Sequence, residues 1–217
     1  MNTEQARFNM IEQQVRPWDV LNPRVLEIIE NTHREQFVPE AYQGLAYADS
    51  SIPLAHKQFM LPPVVVGRML QALHIQEDDK ILEIGAGSGY LTACLSQLGG
   101  DVSTTDIHQE LLDQAKENCS AAGYENISYH QGDFSTSWPD YERFNIIAVT
   151  GSLPTLHENF KHNLEIGGRL FIITGHPPIM QAHLITRTSE REWDDQVLFE
   201  TSIPALLNHQ KDNTLNL

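Results

Sequence analysis

Three glycines follow a short apolar segment in the middle of the chain, at a spacing that suits ligand binding. The segment Ile81-Leu82-Glu83-Ile84 leads into Gly85-Ala86-Gly87-Ser88-Gly89. Glycines let the backbone turn tightly at the end of a strand and approach a ligand closely. The spacing G-x-G-x-G, with Glu83 inside the strand, differs from the G-x-G-x-x-G of dinucleotide sites. We therefore expect this turn to contact a cofactor through Glu83, Gly85, Ala86, Gly87, Ser88 and Gly89.

Two acidic residues further along the chain are spaced to complete a site for adenosine. Asp106 is expected at the end of the next strand, where a carboxylate accepts hydrogen bonds from both ribose hydroxyls. Asp133 follows the third strand and can accept from the adenine amine, while Phe134 packs on the ring. With Ile107 and Thr150, these residues outline one pocket at the carboxyl edge of a sheet.

The elements that position these residues alternate between helix and strand after residue 63. We predict helices at 64–73, 90–98, 111–122 and 156–164, strands at 80–84, 101–105, 127–130 and 144–150, and, after a turn at Gly167 and Gly168, a strand at 169–174. Segments 183–188 and 197–203 are expected to form a terminal antiparallel strand pair. This order predicts an α/β fold, a mostly parallel sheet with helices on both faces.

The first third of the chain has a different character. Apolar residues recur at helical spacing in 2–15, a second helix is expected to begin at Pro23, and 37–63 is punctuated by proline and glycine. We predict an N-terminal helical segment with a substrate-covering loop (1–63), a Rossmann-like domain (64–207) and a flexible tail (208–217).

Composition excludes several classes of function. The 217 residues include 14 Lys and Arg against 29 Asp and Glu, a net charge of −15 that disfavours nucleic acid as a partner. Two cysteines give no disulfide framework, and the ten histidines lack metal-ligand spacing, so we expect no metal. No Ser/His/Asp or Cys/His nucleophilic arrangement is evident. Without a signal peptide or a membrane span, we expect a soluble, cytoplasmic protein, most simply a monomer.

The motif Glu83 to Gly89 resembles motif I of the class I S-adenosylmethionine-dependent methyltransferases, and most of the chain resembles one family of them, the protein-L-isoaspartate O-methyltransferases. The resemblance runs from Met10 to about Leu206. It includes a characteristic N-terminal signature, formed by Pro23-Arg24-Val25-Leu26-Glu27, Phe37-Val38-Pro39-Glu40-Ala41-Tyr42 and Ala46-Tyr47-Ala48-Asp49. It implies S-adenosylmethionine as cofactor and S-adenosylhomocysteine as product.

The chain departs from the family in the loop that should bind the substrate. The family reads roughly Gly-x-Gly-Gln-Thr-Ile-Ser-x-Pro, and its serine is usually assigned to the active site. This chain has Ala55-His56-Lys57-Gln58-Phe59-Met60-Leu61-Pro62-Pro63, so Phe59 replaces the threonine and Leu61 the serine. No catalytic residue is therefore assigned. The expected substrate residues are His56, Lys57, Gln58, Phe59, Met60, Leu61 and, from the opposite wall, Ser152.

The function that the resemblance implies is methylation of isoaspartyl (or D-aspartyl) residues in damaged proteins or peptides. Two alternatives stay open at this stage. One is a methyltransferase of the same family with a different acceptor, such as a small molecule. The other is a protein that binds S-adenosylmethionine or S-adenosylhomocysteine without turnover.

Overall fold

The computed structural model describes residues 3–134 and 142–208. Its strands are β1 (Ile52–Pro53), β2 (Phe59–Met60), β3 (Ile81–Ile84), β4 (Val102–Asp106), β5 (Ile127–Gln131), β6 (Phe144–Leu153), β7 (Leu164–His176), β8 (Ile179–Arg187) and β9 (Trp193–Thr201). Strands β1 and β2 form a small antiparallel hairpin, and the other seven form one sheet in the order β5-β4-β3-β6-β7-β8-β9.

The large sheet confirms the predicted fold class. Strands β5, β4, β3, β6 and β7 pair in parallel, whereas β8 and β9 extend the sheet in antiparallel fashion. The central strands read as apolar runs because they are covered on both faces, and Ile146 to Val149 are fully buried. The terminal antiparallel pair is present and begins earlier in the chain than the sequence indicated.

The helices are α1 (Thr3–Met10), α2 (Pro23–Asn31), α3 (Pro63–Leu73), α4 (Tyr90–Leu98), α5 (Gln109–Ala121) and α6 (Glu158–His162). Helix α6 is shorter than predicted because Leu164 already belongs to β7. The predicted turn at Gly167 and Gly168 is wrong: both glycines lie within β7, at an irregularity between the pairs Phe144–Leu164 and Ile146–Arg169. A bulge of this kind absorbs extra residues without ending the strand.

The N-terminal segment is helical for longer than predicted. Helix α1 continues into a π-helical turn (Ile11–Val15) and a 3₁₀ turn (Arg16–Trp18). Helix α2 begins at Pro23 because Asn22 caps it. The side-chain oxygen of Asn22 accepts hydrogen bonds from the backbone N–H groups of Arg24 and Val25. The stretch 37–63 is irregular apart from short 3₁₀ turns and the β1–β2 hairpin, as expected.

The hydrophobic core continues across the predicted boundary between residues 63 and 64. One buried cluster contains Ile29 and Val38 from the N-terminal segment together with Leu70 and Leu95 from α3 and α4. This packing carries the loop that contains β1 and β2 to the carboxyl edge of the parallel strands. Within the described residues, no helix has the length and apolar character needed to cross a membrane. Residues 209–217, most of the predicted tail, lie outside the described part.

Candidate active site

A cavity opens at the carboxyl edge of the parallel strands, where the sequence predicted the cofactor. Its walls come from the β3–α4 turn, the ends of β4, β5 and β6, the loop around β2 and the segment 204–207. The space between these walls, including the open mouth, is about 1000 Å³, enough for a nucleoside cofactor and a further group. Ligand sites of open α/β sheets lie at this edge.

Most of the predicted cofactor residues lie in the wall of this one cavity. They come from four different strand ends, which the parallel order of the sheet brings together. They are Glu83, Gly85, Ala86, Gly87, Ser88, Asp106, Ile107, Asp133, Phe134 and Thr150.

The glycine-rich turn is fixed by hydrogen bonds to its neighbours. The N–H groups of Gly85 and Ala86 both donate to the Thr105 carbonyl at 2.9 Å. The hydroxyl of Thr150 donates to the carbonyls of Ile84 and Gly85, each at 2.9 Å. A Cβ atom at Gly85 would lie 2.1 Å from that hydroxyl, and φ at Gly85 is +98°, so only glycine fits.

Asp106 and Asp133 lie at neighbouring strand ends because β4 pairs with β5. Asp106 accepts from the N–H of Gly87 at 3.1 Å and from the N–H of His108 at 2.9 Å. Asp133 accepts from the side-chain amide of Asn208 at 3.1 Å. A carboxylate offers about four acceptor sites, so Asp106 keeps lone pairs for ribose hydroxyls while it holds the turn.

Glu83 is fully buried at the centre of the site. Its Oε2 accepts from the hydroxyls of Thr92 at 2.5 Å and Thr104 at 2.6 Å, whereas its Oε1 has no hydrogen-bond partner in the described protein. Burial raises the pKa of Glu83 to about 8, against the opposing effect of the two threonine hydroxyls; Asp106 adds to the rise. The unpartnered Oε1 is free to contact a bound ligand, and it acts as an acceptor when a cationic group beside it favours the ionised carboxylate.

Gly89 was predicted to contact the cofactor, but it is not among the residues that line the cavity. It packs against α5 instead. A Cβ atom at Gly89 would lie 2.9 Å from the carbonyl oxygen of Ala115 and 3.1 Å from the sulfur of Cys119. This glycine therefore serves the close approach of α4 to α5.

The substrate loop divides into two parts. Gln58, Phe59, Met60 and Leu61 line the cavity, Leu61 buried and Phe59 half-exposed. His56 and Lys57 do not line it: the ring of His56 stacks on His108 at 4.1 Å, and its Nε2 lies 2.9 Å from Glu110. The prediction that His56 and Lys57 face the substrate is therefore not supported, because the loop bends toward the N-terminus of α5.

Ser152 also differs from its expected role. It is buried, and its hydroxyl donates to the carbonyl of Ile203 at 3.1 Å. Its N–H donates to Pro204, and its carbonyl accepts from the N–H of Leu206. Ser152 therefore anchors the segment 204–207, which forms part of the cavity wall, instead of presenting a hydroxyl to a substrate.

Several cavity residues were missed by the sequence analysis. Arg34 stands in a polar run and gave no signal, yet it is fully buried and lines the cavity with Tyr90. The segment Pro204 to Leu207 lines it as well. Its one sequence signal was Ile203-Pro204, which falls where the resembling family carries Val-Pro-Leu.

A Thr/His/Asp chain of hydrogen bonds, also unpredicted, lies in the antiparallel part of the sheet. His183 Nε2 is 3.1 Å from the hydroxyl of Thr174, and its Nδ1 is 2.8 Å from Asp195. Thr174 lies within β7, which pairs with strands on both sides, and none of the three residues lines the cavity. The described residues include no cluster of three or more metal-ligating side chains.

A statistical model of one protein family matches residues 5–203, nearly the whole chain. It describes protein-L-isoaspartate(D-aspartate) O-methyltransferase. The chain belongs to this family. Its relatives include proteins named protein-L-isoaspartate O-methyltransferase from Rhodopseudomonas palustris, 35% identical over 91% of both chains, and from Aeropyrum pernix, 37% identical over 94% of this chain and 81% of the relative. The predicted class of enzyme, an S-adenosylmethionine-dependent O-methyltransferase, is confirmed by membership.

Two solved structures show the same fold. A protein from Plasmodium falciparum that carries the family name, solved with S-adenosyl-L-homocysteine, superposes with a TM-score of 0.78 at 17% identity, covering 95% of this chain and 98% of that one. Another protein-L-isoaspartate O-methyltransferase gives a TM-score of 0.79 at 19% identity, over 95% of this chain and 66% of that one. At these identities the likeness establishes the fold.

Gly89→Ala should destabilise this methyltransferase more than Gly123→Ala. Both glycines have positive φ (+84° and +86°), but a Cβ at Gly123 meets nothing within 4 Å. Gly123→Ala should therefore cost only the backbone strain, about 1–2 kcal/mol, while Gly89→Ala adds overpacking of about 1–3 kcal/mol. Urea unfolding of both variants measures the difference. Equal losses would contradict the packing role of Gly89.

The pH dependence of stability should report the buried Glu83. Its pKa is about 8 when folded and 4.5 ordinarily, so the unfolded chain holds fewer protons between these values. The free energy of unfolding should therefore fall as pH rises from 5 to 8, by up to about 1.4 kcal/mol per pH unit from this group. Urea unfolding of the ligand-free protein should show this fall relative to Glu83→Gln. Parallel curves would contradict it.

Proposed function

We propose that the chain transfers a methyl group from S-adenosylmethionine to the carboxylate of isoaspartyl residues in damaged proteins or peptides. The observation that carries this proposal is a single cavity that joins the acidic pair Asp106 and Asp133 to the loop residues Gln58 to Leu61. The part of the cavity beside the acidic pair suits a nucleoside, and the part beside the loop residues suits a methyl acceptor. The names of the relatives support the same reaction.

The residues present fit the cofactor. Asp106 would accept from the ribose hydroxyls, Asp133 from the adenine amine, and Phe134 would pack on the adenine ring. The unpartnered Oε1 of Glu83 supplies an acceptor beside the glycine-rich turn, as an amino-acid group requires. When bound, S-adenosylmethionine supplies an electrophilic methyl group and leaves as S-adenosylhomocysteine.

The acceptor needs little chemical activation from the protein. A carboxylate with a reference pKa near 3.9 is ionised at neutral pH, so the reaction requires no general base. The residues of the cavity contribute by holding the acceptor oxygen in line with the methyl carbon and by excluding water. Such positioning contributes on the order of 7–11 kcal/mol in well-oriented reactions. Leu61, buried beside the cavity, and Phe59, at its mouth, suit the exclusion of water.

A specific observation favours a second candidate, a methyltransferase of this family with another acceptor. The side chains of Phe59, Met60 and Leu61 present no hydroxyl to the cavity, and Ser152 is engaged with Ile203. An apolar wall disfavours a charged acceptor because it removes water without replacing the hydrogen bonds. A neutral or small-molecule acceptor would suit this wall better.

The first experiment uses a matched pair of peptides, one with isoaspartate and one with aspartate at the same position. Calorimetry first establishes binding of S-adenosylhomocysteine, and transfer of a radiolabelled methyl group from S-adenosylmethionine is then measured for both peptides. We expect labelling of the isoaspartyl peptide alone. Tight cofactor binding without labelling of either peptide would refute isoaspartyl methylation and leave another acceptor or a binding role.

Restoring the hydroxyl of the family should improve activity on isoaspartyl peptides. Leu61→Ser returns the serine that relatives use, and a hydrogen bond to a charged group contributes about 1.5–3 kcal/mol. We expect kcat/KM for the isoaspartyl peptide to rise about tenfold or more. Leu61→Ala is the control, because it removes the same apolar bulk without adding a hydroxyl. Equal gains for both variants would show that the hydroxyl is not used.

A further inference from the structure

Arg34 is a fully buried cation at the junction of the N-terminal segment, the substrate loop and α4. It lies in a 3₁₀ turn, Arg34–Gln36. Its Nε donates to the carbonyl of Ala46 at 2.9 Å, and its Nη2 donates to the carbonyl of Leu61 at 2.7 Å. Its guanidinium carbon lies 4.7 Å from the centre of the Tyr90 ring. These contacts place the cation behind the substrate loop.

One nitrogen of the Arg34 guanidinium makes no hydrogen bond. Nη1 of Arg34 is buried and has no hydrogen-bond partner, and none of the ion pairs among the described residues includes Arg34. Burial lowers the pKa of Arg34, against the opposing effects of neighbours that include Tyr90 and Asp49. Buried charges in proteins are normally paired, because an unpaired one loses its hydration without compensation.

A second buried arginine shows what a purely structural role looks like. Arg187, in β8, donates from Nε to Ser189 at 3.2 Å, from Nη1 to Leu164 at 2.6 Å and from Nη2 to Glu190 at 2.9 Å. Every nitrogen of its guanidinium has a carbonyl partner. Arg187 lies outside the cavity, whereas Arg34 lines it.

Two further buried polar atoms without hydrogen-bond partners lie on the same cavity. They are the hydroxyl of Tyr90 and Oε1 of Glu83. Burial raises the pKa of both groups, so the tyrosine stays protonated and can donate. Arg34 and Tyr90 thus offer donors, and Glu83 becomes an acceptor when a bound cation favours the ionised form of its carboxyl group. This combination complements a carboxylate next to an ammonium group.

We propose that Arg34, together with the hydroxyl of Tyr90, recognises a carboxylate of a ligand bound in this cavity. The proposal rests on the proposed function, because that reaction brings two carboxylates to the cavity. One belongs to the amino-acid end of S-adenosylmethionine and the other to the isoaspartyl acceptor. Arg34 borders the wall on both sides, since it contacts α4 through Tyr90 and the substrate loop through Leu61.

The test compares ligands with and without the carboxylate. Calorimetry measures the dissociation constants of S-adenosylhomocysteine and of its decarboxylated analogue, S-adenosyl-3-thiopropylamine. The variants are Arg34→Lys, which keeps the charge but removes the planar fork, and Tyr90→Phe, which removes only the hydroxyl. Arg187→Lys is the matched control, a buried arginine outside the cavity. Thermal unfolding checks that each variant is folded. If Arg34→Lys does not fold, Tyr90→Phe by itself tests the proposal.

We expect Arg34→Lys to raise the dissociation constant of S-adenosylhomocysteine about tenfold or more, and Tyr90→Phe to raise it about threefold or more. The dissociation constant of the decarboxylated analogue should change less than about twofold. This result assigns the cofactor carboxylate. Unchanged affinities with a KM for the isoaspartyl peptide raised about tenfold at similar kcat assign the acceptor carboxylate instead.

Two outcomes would overturn the role of Arg34. An equal rise in the dissociation constants of both ligands would show that Arg34 only stabilises the fold. Unchanged dissociation constants with an unchanged KM for the peptide would show that Arg34 contacts neither carboxylate. Failure of the unmodified protein to bind S-adenosylhomocysteine is a separate result. It would contradict the proposed function itself.

Discussion

The attachment of the β3–α4 turn to the ends of β4 and β6 is the constraint on which the site depends. Backbone N–H groups of the turn donate to Thr105 and Asp106, and Thr150 donates back to the turn. These bonds exist because β3 lies between β4 and β6 in the parallel sheet. The order of the strands therefore fixes the shape of the turn, and the turn fixes the wall of the cavity where a nucleoside fits.

The same wall contains polar atoms that the folded protein leaves without hydrogen bonds. A buried carboxylate, a phenol and a guanidinium are costly to desolvate, and an apolar core would be more stable. Sites of this kind are where a protein departs from the rules of stable packing, because the ligand completes the missing bonds. The raised pKa of Glu83, about 8, is the electrostatic sign of this cost.

The substrate loop of this chain contains two left-handed residues that are not glycine, His56 and Lys57. Lys57 stands where the family has a glycine, and its φ of +59° is a left-handed conformation that glycine adopts without strain. His56, at φ +55°, is held by its stack on His108 and its contact with Glu110. In this chain, contacts of the His56 side chain stabilise the bend at a place where the family sequence carries glycines. The bend also accounts for the absence of these two residues from the cavity wall, which Phe59 and Leu61 line.

The sequence by itself determined the fold class, the strand ends that carry Asp106 and Asp133, and the glycine-rich turn. These depend on local patterns, namely apolar periodicity and glycine spacing, that are visible in single segments. The tertiary structure alone decided the roles of Arg34, Gly89 and Ser152. Arg34 reads as part of a solvated polar run, yet it is buried, because burial is set by what packs on a residue from distant parts of the chain. Likewise Gly89 packs against Ala115, 26 residues along the chain, and Ser152 bonds to Ile203, 51 residues along the chain. Contacts between residues so far apart leave no trace in local spacing.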